Sequence, residues 1–100
     1  MKEITALELK QLIDSKADFQ LIDVREEYEF DEVNINGHLI PMAEALDRAS
    51  EIDKNKQVVV HCRSGKRSAS VISALENQLG YTNLYNLKGG ILEYLDTAGG

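Results

Sequence analysis

Apolar positions change period several times along the chain, and each change marks an element. Glu3-Ile4 reads as a short edge strand. Thr5-Ala6-Leu7-Glu8 fits a capping box, in which the Thr hydroxyl and the Glu carboxylate each accept a backbone N–H. Leu9, Leu12 and Ile13 follow at helical spacing, and Ser15 to Asp18 close that helix. Phe19 to Val24 is short and largely apolar, as in a buried parallel strand. Glu26 to Phe30 predicts one or two helical turns with Tyr28 and Phe30 packed inward. Val33 to His38 reads as a turn, with Gly37 at a positive φ. Leu39-Ile40 is a very short strand ended by Pro41, which cannot donate to a ladder. Met42 to Ile52 has apolar residues at helical spacing and predicts a helix. Gln57 to His61 is a β-branched central strand. Val71, Ile72, Leu75 and Leu79 form a stripe at 3.6 spacing from Ser68 onward, and Gly80 suits the C′ position. Tyr81 to Leu87 turns into a last strand, Lys88-Gly89-Gly90 turns again, and Ile91 to Leu95 opens a terminal helix. Gly99-Gly100 is expected to be a frayed end.

Strands thus alternate with helices across short loops, which implies right-handed βαβ units. The expected architecture is α/β, a single three-layer domain over residues 1–100. A central, mostly parallel sheet of about five short strands should carry helices on both faces. One hundred residues suffice for one core without staples.

Charge narrows the function classes. The chain has 17 acidic and 11 basic residues, a net charge of −6. Nucleic acid is a poor partner for such a chain, because neutralising phosphates needs a basic face. One cysteine excludes an internal disulfide, and no CxxC pair offers a metal site. No cofactor is called for. Met1-Lys2-Glu3 leads into alternating charge, so no signal peptide is expected. No segment reaches the ~20 apolar residues of a membrane span. A cytoplasmic setting is expected, and it suits a free thiol.

That cysteine ends the central strand. Val58-Val59-Val60-His61-Cys62 runs into Arg63-Ser64-Gly65-Lys66-Arg67-Ser68, a polar loop with one glycine and three cations, and then into a helix. Strand, loop and helix N-terminus together turn N–H groups inward and add positive potential. An unperturbed thiol has a pKa near ~8.5, and such surroundings lower it into a range of roughly 3.5–7.5. Cys62 is therefore the candidate nucleophile, with Arg63, Ser64, Gly65, Lys66 and Arg67 as the anion-binding loop. The alternative is an inert cysteine closing a core strand. Arg25, at the end of the Phe19–Val24 strand, is open to two readings that can hold together: it faces this loop, and it pairs structurally with Asp23 or Glu26. His38 is either an acid–base group or a residue that fixes its loop by hydrogen bonding.

These segments, in this order, resemble a single-domain rhodanese. Leu21-Ile22-Asp23-Val24-Arg25-Glu26 with Tyr28 and Phe30 is similar to the LIDVRE segment and the aromatic after it. Gly37-His38 resembles the GH turn, Val58 to Arg67 the active-site strand and loop, and Leu87-Lys88-Gly89-Gly90 the LxGG turn. The segment after the GH turn is shorter here, with Leu39-Ile40-Pro41 following directly, and Tyr94 stands where Trp is common. The resemblance implies a sulfurtransferase. Cys62 would take the outer sulfur of an anionic donor such as thiosulfate, hold it as a persulfide, and pass it to cyanide or a thiol. Arg67, Lys66 and Arg25 would bind the donor. A variant of this reading is a persulfide carrier in a relay with protein partners, or an interaction module. His61-Cys62-Arg63-Ser64-Gly65-Lys66-Arg67-Ser68 also resembles a cysteine-phosphatase signature, but four residues separate Cys62 from Arg67 instead of five. The tighter ring suits one sulfur atom better than three phosphoryl oxygens.

Overall fold

The computed structural model describes residues 1–97, so the Gly99-Gly100 end lies outside the described residues. Five strands, β1 (Glu3–Ile4), β2 (Gln20–Asp23), β3 (His38–Leu39), β4 (Val58–His61) and β5 (Leu84–Leu87), form one sheet in the order β1-β5-β4-β2-β3. Every pairing is parallel. Four helices accompany them: α1 (Ala6–Asp14), α2 (Glu27–Glu32), α3 (Lys66–Leu79) and α4 (Gly90–Thr97).

Side chains alternate across the sheet, so β4 feeds two cores. Val58 and Val60 join Ile22, Val24 and the α3 residues Val71, Ile72 and Leu75 on one face. Val59 and Leu87 meet Leu9 of α1 on the other, with Leu12 and Tyr94 packed against them. The result is the three-layer α/β domain expected from the alternation. The Thr5–Glu8 capping box forms with both of its hydrogen bonds, 3.1 and 2.9 Å. Gly80 ends α3 at φ 72°, in the left-handed region.

Three local expectations fail. The positive φ of the turn before β3 falls on Asn36, at 64°, and not on Gly37; the Asn34 side chain accepts the Asn36 N–H at 2.9 Å and holds that turn. Met42 to Ile52 is not a helix but two 3₁₀ turns, Met42–Glu44 and Ala49–Glu51, with mostly i→i+3 hydrogen bonds between and within them. A helix is held chiefly by the apolar face it buries. Here Ala45, Ala49 and Ile52 are buried while Met42 and Leu46 stay exposed, which is little area to fix a regular helix. Tyr28 does not pack inward; it is 68% exposed. The short α2 is anchored by polar contacts instead, since Arg25 reaches the carbonyls of Glu29 and Val33 at 3.4 and 2.8 Å.

Strand order places the site. β4 leads through α3 to β5, whereas its neighbour β2 leads the other way, through α2, to β3. Ligands of open α/β sheets bind where adjacent strands diverge in this manner, beyond their C-terminal ends. Asp23 and His61 are register partners at that point, and Cys62 is the next residue on β4's side.

Candidate active site

The chain turns sharply after His61. Gly65 sits at φ 105°, a conformation a side chain rarely adopts, and serves as the N-cap of α3. This brings its N–H back onto Cys62, with N···Sγ 3.1 Å. Ser68, in the first turn of α3, places Oγ 3.4 Å from the same sulfur. The carbonyls are tied outward. Ile91 N–H donates to Cys62 O at 2.9 Å and Leu92 N–H to Arg63 O at 3.3 Å, both from the start of α4. Asn86 Nδ2 holds Gly65 O at 3.1 Å. With its carbonyls drawn away, the loop presents N–H groups to the sulfur. Burial pushes the Cys62 thiol up, but hydrogen bonds from Ser68, Gly65 and Ser64 outweigh it and hold the thiol below its ordinary value. The α3 dipole acts in the same direction. The cysteine is both buried, at 1% exposure, and ringed by donors, so the two readings of it meet in one residue.

The three loop cations differ. Arg63 and Lys66 are exposed and form no salt bridge among the described residues. Arg67 grips Glu29 of α2 in a fork, Nη1–Oε1 2.7 Å and Nη2–Oε2 2.9 Å. Arg67 pulls the Glu29 carboxyl down to about 2. Glu29 gave no signal in the sequence beyond its spacing from Glu26, with which it forms a second capping box. Asn86 likewise stood unmarked in the last strand.

Arg25 is placed away from the loop. It is buried, with Nε and Nη2 on the Asp23 carboxylate at 3.0 and 2.8 Å, and its remaining contacts are the α2 carbonyls. The structure thus gives the ion pair with Asp23, and every described bond of this guanidinium points into the fold. His38 Nε2 lies 2.7 Å from Glu51 Oε1 on the exposed β3 edge, where it ties that strand to the second 3₁₀ turn. His61 is fully buried beside the site. Its Nδ1 is 3.4 Å from Cys62 O, and its Nε2 has no hydrogen-bond partner, with Asp23 Oδ2 3.6 Å away. Burial holds its pKa below the ordinary value, so the ring is neutral.

Grooves of about 480 and 310 Å³ lie elsewhere, along α1 beside β2–β3 and beside β1–β5. Neither is lined by a residue of the Cys62–Ser68 segment. No cluster of three or more His, Cys, Asp or Glu side chains suited to a metal occurs among the described residues. No helix among them is long and apolar enough to cross a membrane.

The family model for the rhodanese-like domain matches residues 5–97. The chain belongs to the rhodanese-like domain family. It is 36% identical over 100 residues to a sulfurtransferase of Allochromatium vinosum, covering 94% of this chain and 88% of that one. It is 31% identical over 93 residues to the putative sulfur carrier protein YrkF of Bacillus subtilis, covering 92% of this chain and half of that protein. The crystal structure of a rhodanese-like domain protein from Staphylococcus aureus superposes with a TM-score of 0.87 at 34% identity, covering 98% of this chain and 95% of that one. The sequence resemblance to rhodaneses is thereby established for the family and for the fold. Both curated relatives are named for the handling of sulfur. Within this rhodanese-like domain, Gly65 N–H and Ser68 Oγ lie against Cys62 Sγ, and Glu29 of α2 pairs with Arg67.

Proposed function

We propose that the protein transfers a sulfane sulfur through a Cys62 persulfide. The observation that carries this is the 3.1 Å hydrogen bond from Gly65 N–H to Cys62 Sγ at the N-terminus of α3. Such a bond favours the thiolate, and it then stabilises the terminal sulfur anion of a persulfide. In the first half-reaction the thiolate attacks the outer sulfur of an anionic donor such as thiosulfate. The donor's S–S bond breaks, sulfite leaves with the electron pair, and Cys62–S–S⁻ remains. In the second, cyanide or a thiolate takes the outer sulfur and Cys62 leaves as the thiolate. The new S–S bond is about 2 Å long, so it carries the transferable atom away from the buried Cys62 Sγ. Exposed Arg63 and Lys66 supply charge for the donor. No proton donor is needed, because sulfite leaves readily as an anion. Double displacement implies ping-pong kinetics.

Incubation with thiosulfate should add the mass of one sulfur to Cys62 in intact-protein mass spectrometry, and cyanide should remove it. Cys62→Ser should lose the adduct while keeping a melting temperature near that of the parent. A folded wild type that never gains the mass would refute transfer from thiosulfate.

A carrier role is the second reading, favoured by the 1% exposure of Cys62 and by the likeness to a putative sulfur carrier. Loading from a protein persulfide much faster than from thiosulfate would select this reading, and equal rates would dismiss it.

A further inference from the structure

Three cations crowd the Cys62 loop, yet the strongest anion-binding group among them is already occupied. Arg63 and Arg67 both carry a planar guanidinium fork, the geometry that matches two oxygens of a carboxylate or sulfonate, but Arg63 is exposed and only the Arg67 fork is held. Glu29 fills both prongs at 2.7 and 2.9 Å. Its carboxylate is nearly enclosed, at 14% side-chain exposure, and Arg67 is one third exposed, near enough to Cys62 for a thiolate's charge to act on its guanidinium. Glu29 is itself held in place. Its Oε1 accepts the Glu26 N–H at 3.0 Å, and its carbonyl is tied to Arg25.

We infer that Glu29 is a specificity-determining residue, an internal carboxylate that competes with the donor's oxyanion for Arg67. The inference rests on the sulfur-transfer reading for its choice of donor. A donor bearing a sulfonate end either displaces Glu29 or is left with Arg63 and Lys66, neither of which offers a held fork. The resting site therefore disfavours small anions, and selectivity against them is written in α2 rather than in the loop. A merely orienting Glu29 would act with the opposite sign, since removing it would disorder Arg67 and weaken anion binding.

Two readouts decide between these. The first is the ratio of Cys62 alkylation rates by iodoacetate and by iodoacetamide, which differ in charge and little in size. The second is kcat/KM for thiosulfate with cyanide as acceptor. Glu29→Gln keeps an oxygen for the Glu26 N–H and removes the charge. It should raise the iodoacetate-to-iodoacetamide ratio on the order of three- to tenfold, as expected for losing a partly exposed ion pair, and raise thiosulfate kcat/KM by a similar factor. Glu29→Asp, too short to fill both prongs, should give a smaller rise in both. An unchanged or lower alkylation ratio in either variant overturns the inference. A higher ratio with no thiosulfate turnover in any form upholds the competition and counts instead against thiosulfate as donor.

Discussion

Ser68 has one proton and two acceptors. Its Oγ is 2.5 Å from Asn86 Oδ1 and 3.4 Å from Cys62 Sγ. Asn86 is oriented by its other end, because Nδ2 donates to Gly65 O, so Oδ1 must accept from Ser68. With a thiol at Cys62, the S–H donates to Ser68 Oγ and the hydroxyl donates on to Asn86. With a thiolate, the hydroxyl turns to the sulfur. Ser68 thus stabilises the anion, while Asn86 opposes it by offering the better acceptor in the neutral state. Removing the hydroxyl strips a donor from the anion, since a hydrogen bond to the charged form favours that form. Ser68→Ala should therefore raise the Cys62 pKa. The profile of iodoacetamide alkylation against pH should move to higher pH, with slower reaction at neutral pH and equal rates in alkali. Stability should fall by about 1–2 kcal/mol, because Asn86 Oδ1 is left buried without a donor. A profile superposing on that of the parent would show that backbone N–H groups alone hold the thiolate.

Elements far apart in the chain brace the loop, and this decides what was legible beforehand. The alternation of periods was enough for the parallel three-layer fold, and Thr5-Ala6-Leu7-Glu8, the valine run and Gly80 each declared their places by local rules. The Cys62 loop was legible because its chemistry is contiguous. The Glu29–Arg67 pair was not, since its members are 38 residues apart and each has other reasons to be polar. Arg25 had two outlets on paper, and burial chose the one inside the fold. The 3₁₀ stretch was misread because its spacing is helical while its buried anchors are small. Gly90 shows the same limit. Its turn was apparent, but its task is to let α4 approach the loop. At φ 62°, a Cβ there would run into the Arg63 carbonyl, the group that α4 holds through Leu92 N–H. Gly90→Ala should push α4 and the loop apart, costing about 1–3 kcal/mol for the strained backbone and lowering transfer at least tenfold. A crystal structure or amide exchange at Ile91 and Leu92 would record the loosening. A variant with full activity and unchanged exchange would mean that α4 does not hold the ring in place.

At the scale of the whole molecule, depressed pKa values shape stability against acid, those of His61, Glu29 and Glu51 among them. His61 is held neutral by burial, opposed only in part by Asp23, so the folded chain resists its protonation. The unfolded chain takes that proton near an ordinary pKa of ~6.5. Below that point the unfolded state binds more protons, and stability falls as pH falls. Glu29 and Glu51 behave alike but lower down. Arg67 draws the first, and Arg48 with His38 draws the second, each to about 2. Their contributions are complete above the ordinary carboxylate value and drain away from about pH 4.5 toward 2. The acid limb should therefore have two parts, an upper one from His61 and a lower one from the glutamates. Cys62 contributes at the alkaline side, because its depressed pKa favours the folded state as pH rises toward the ordinary thiol value, so the measurement belongs in Cys62→Ser. In that background, melting temperature by calorimetry should begin to decline below about pH 6.5, and His61→Gln should flatten the decline down to about pH 5 while leaving the steeper fall below it. A shallower lower limb in Glu29→Gln, with the Glu51 share and the upper limb intact, would complete the assignment. A His61→Gln protein that still declines from pH 6.5 would place the upper limb on another group and remove His61 from the acid response.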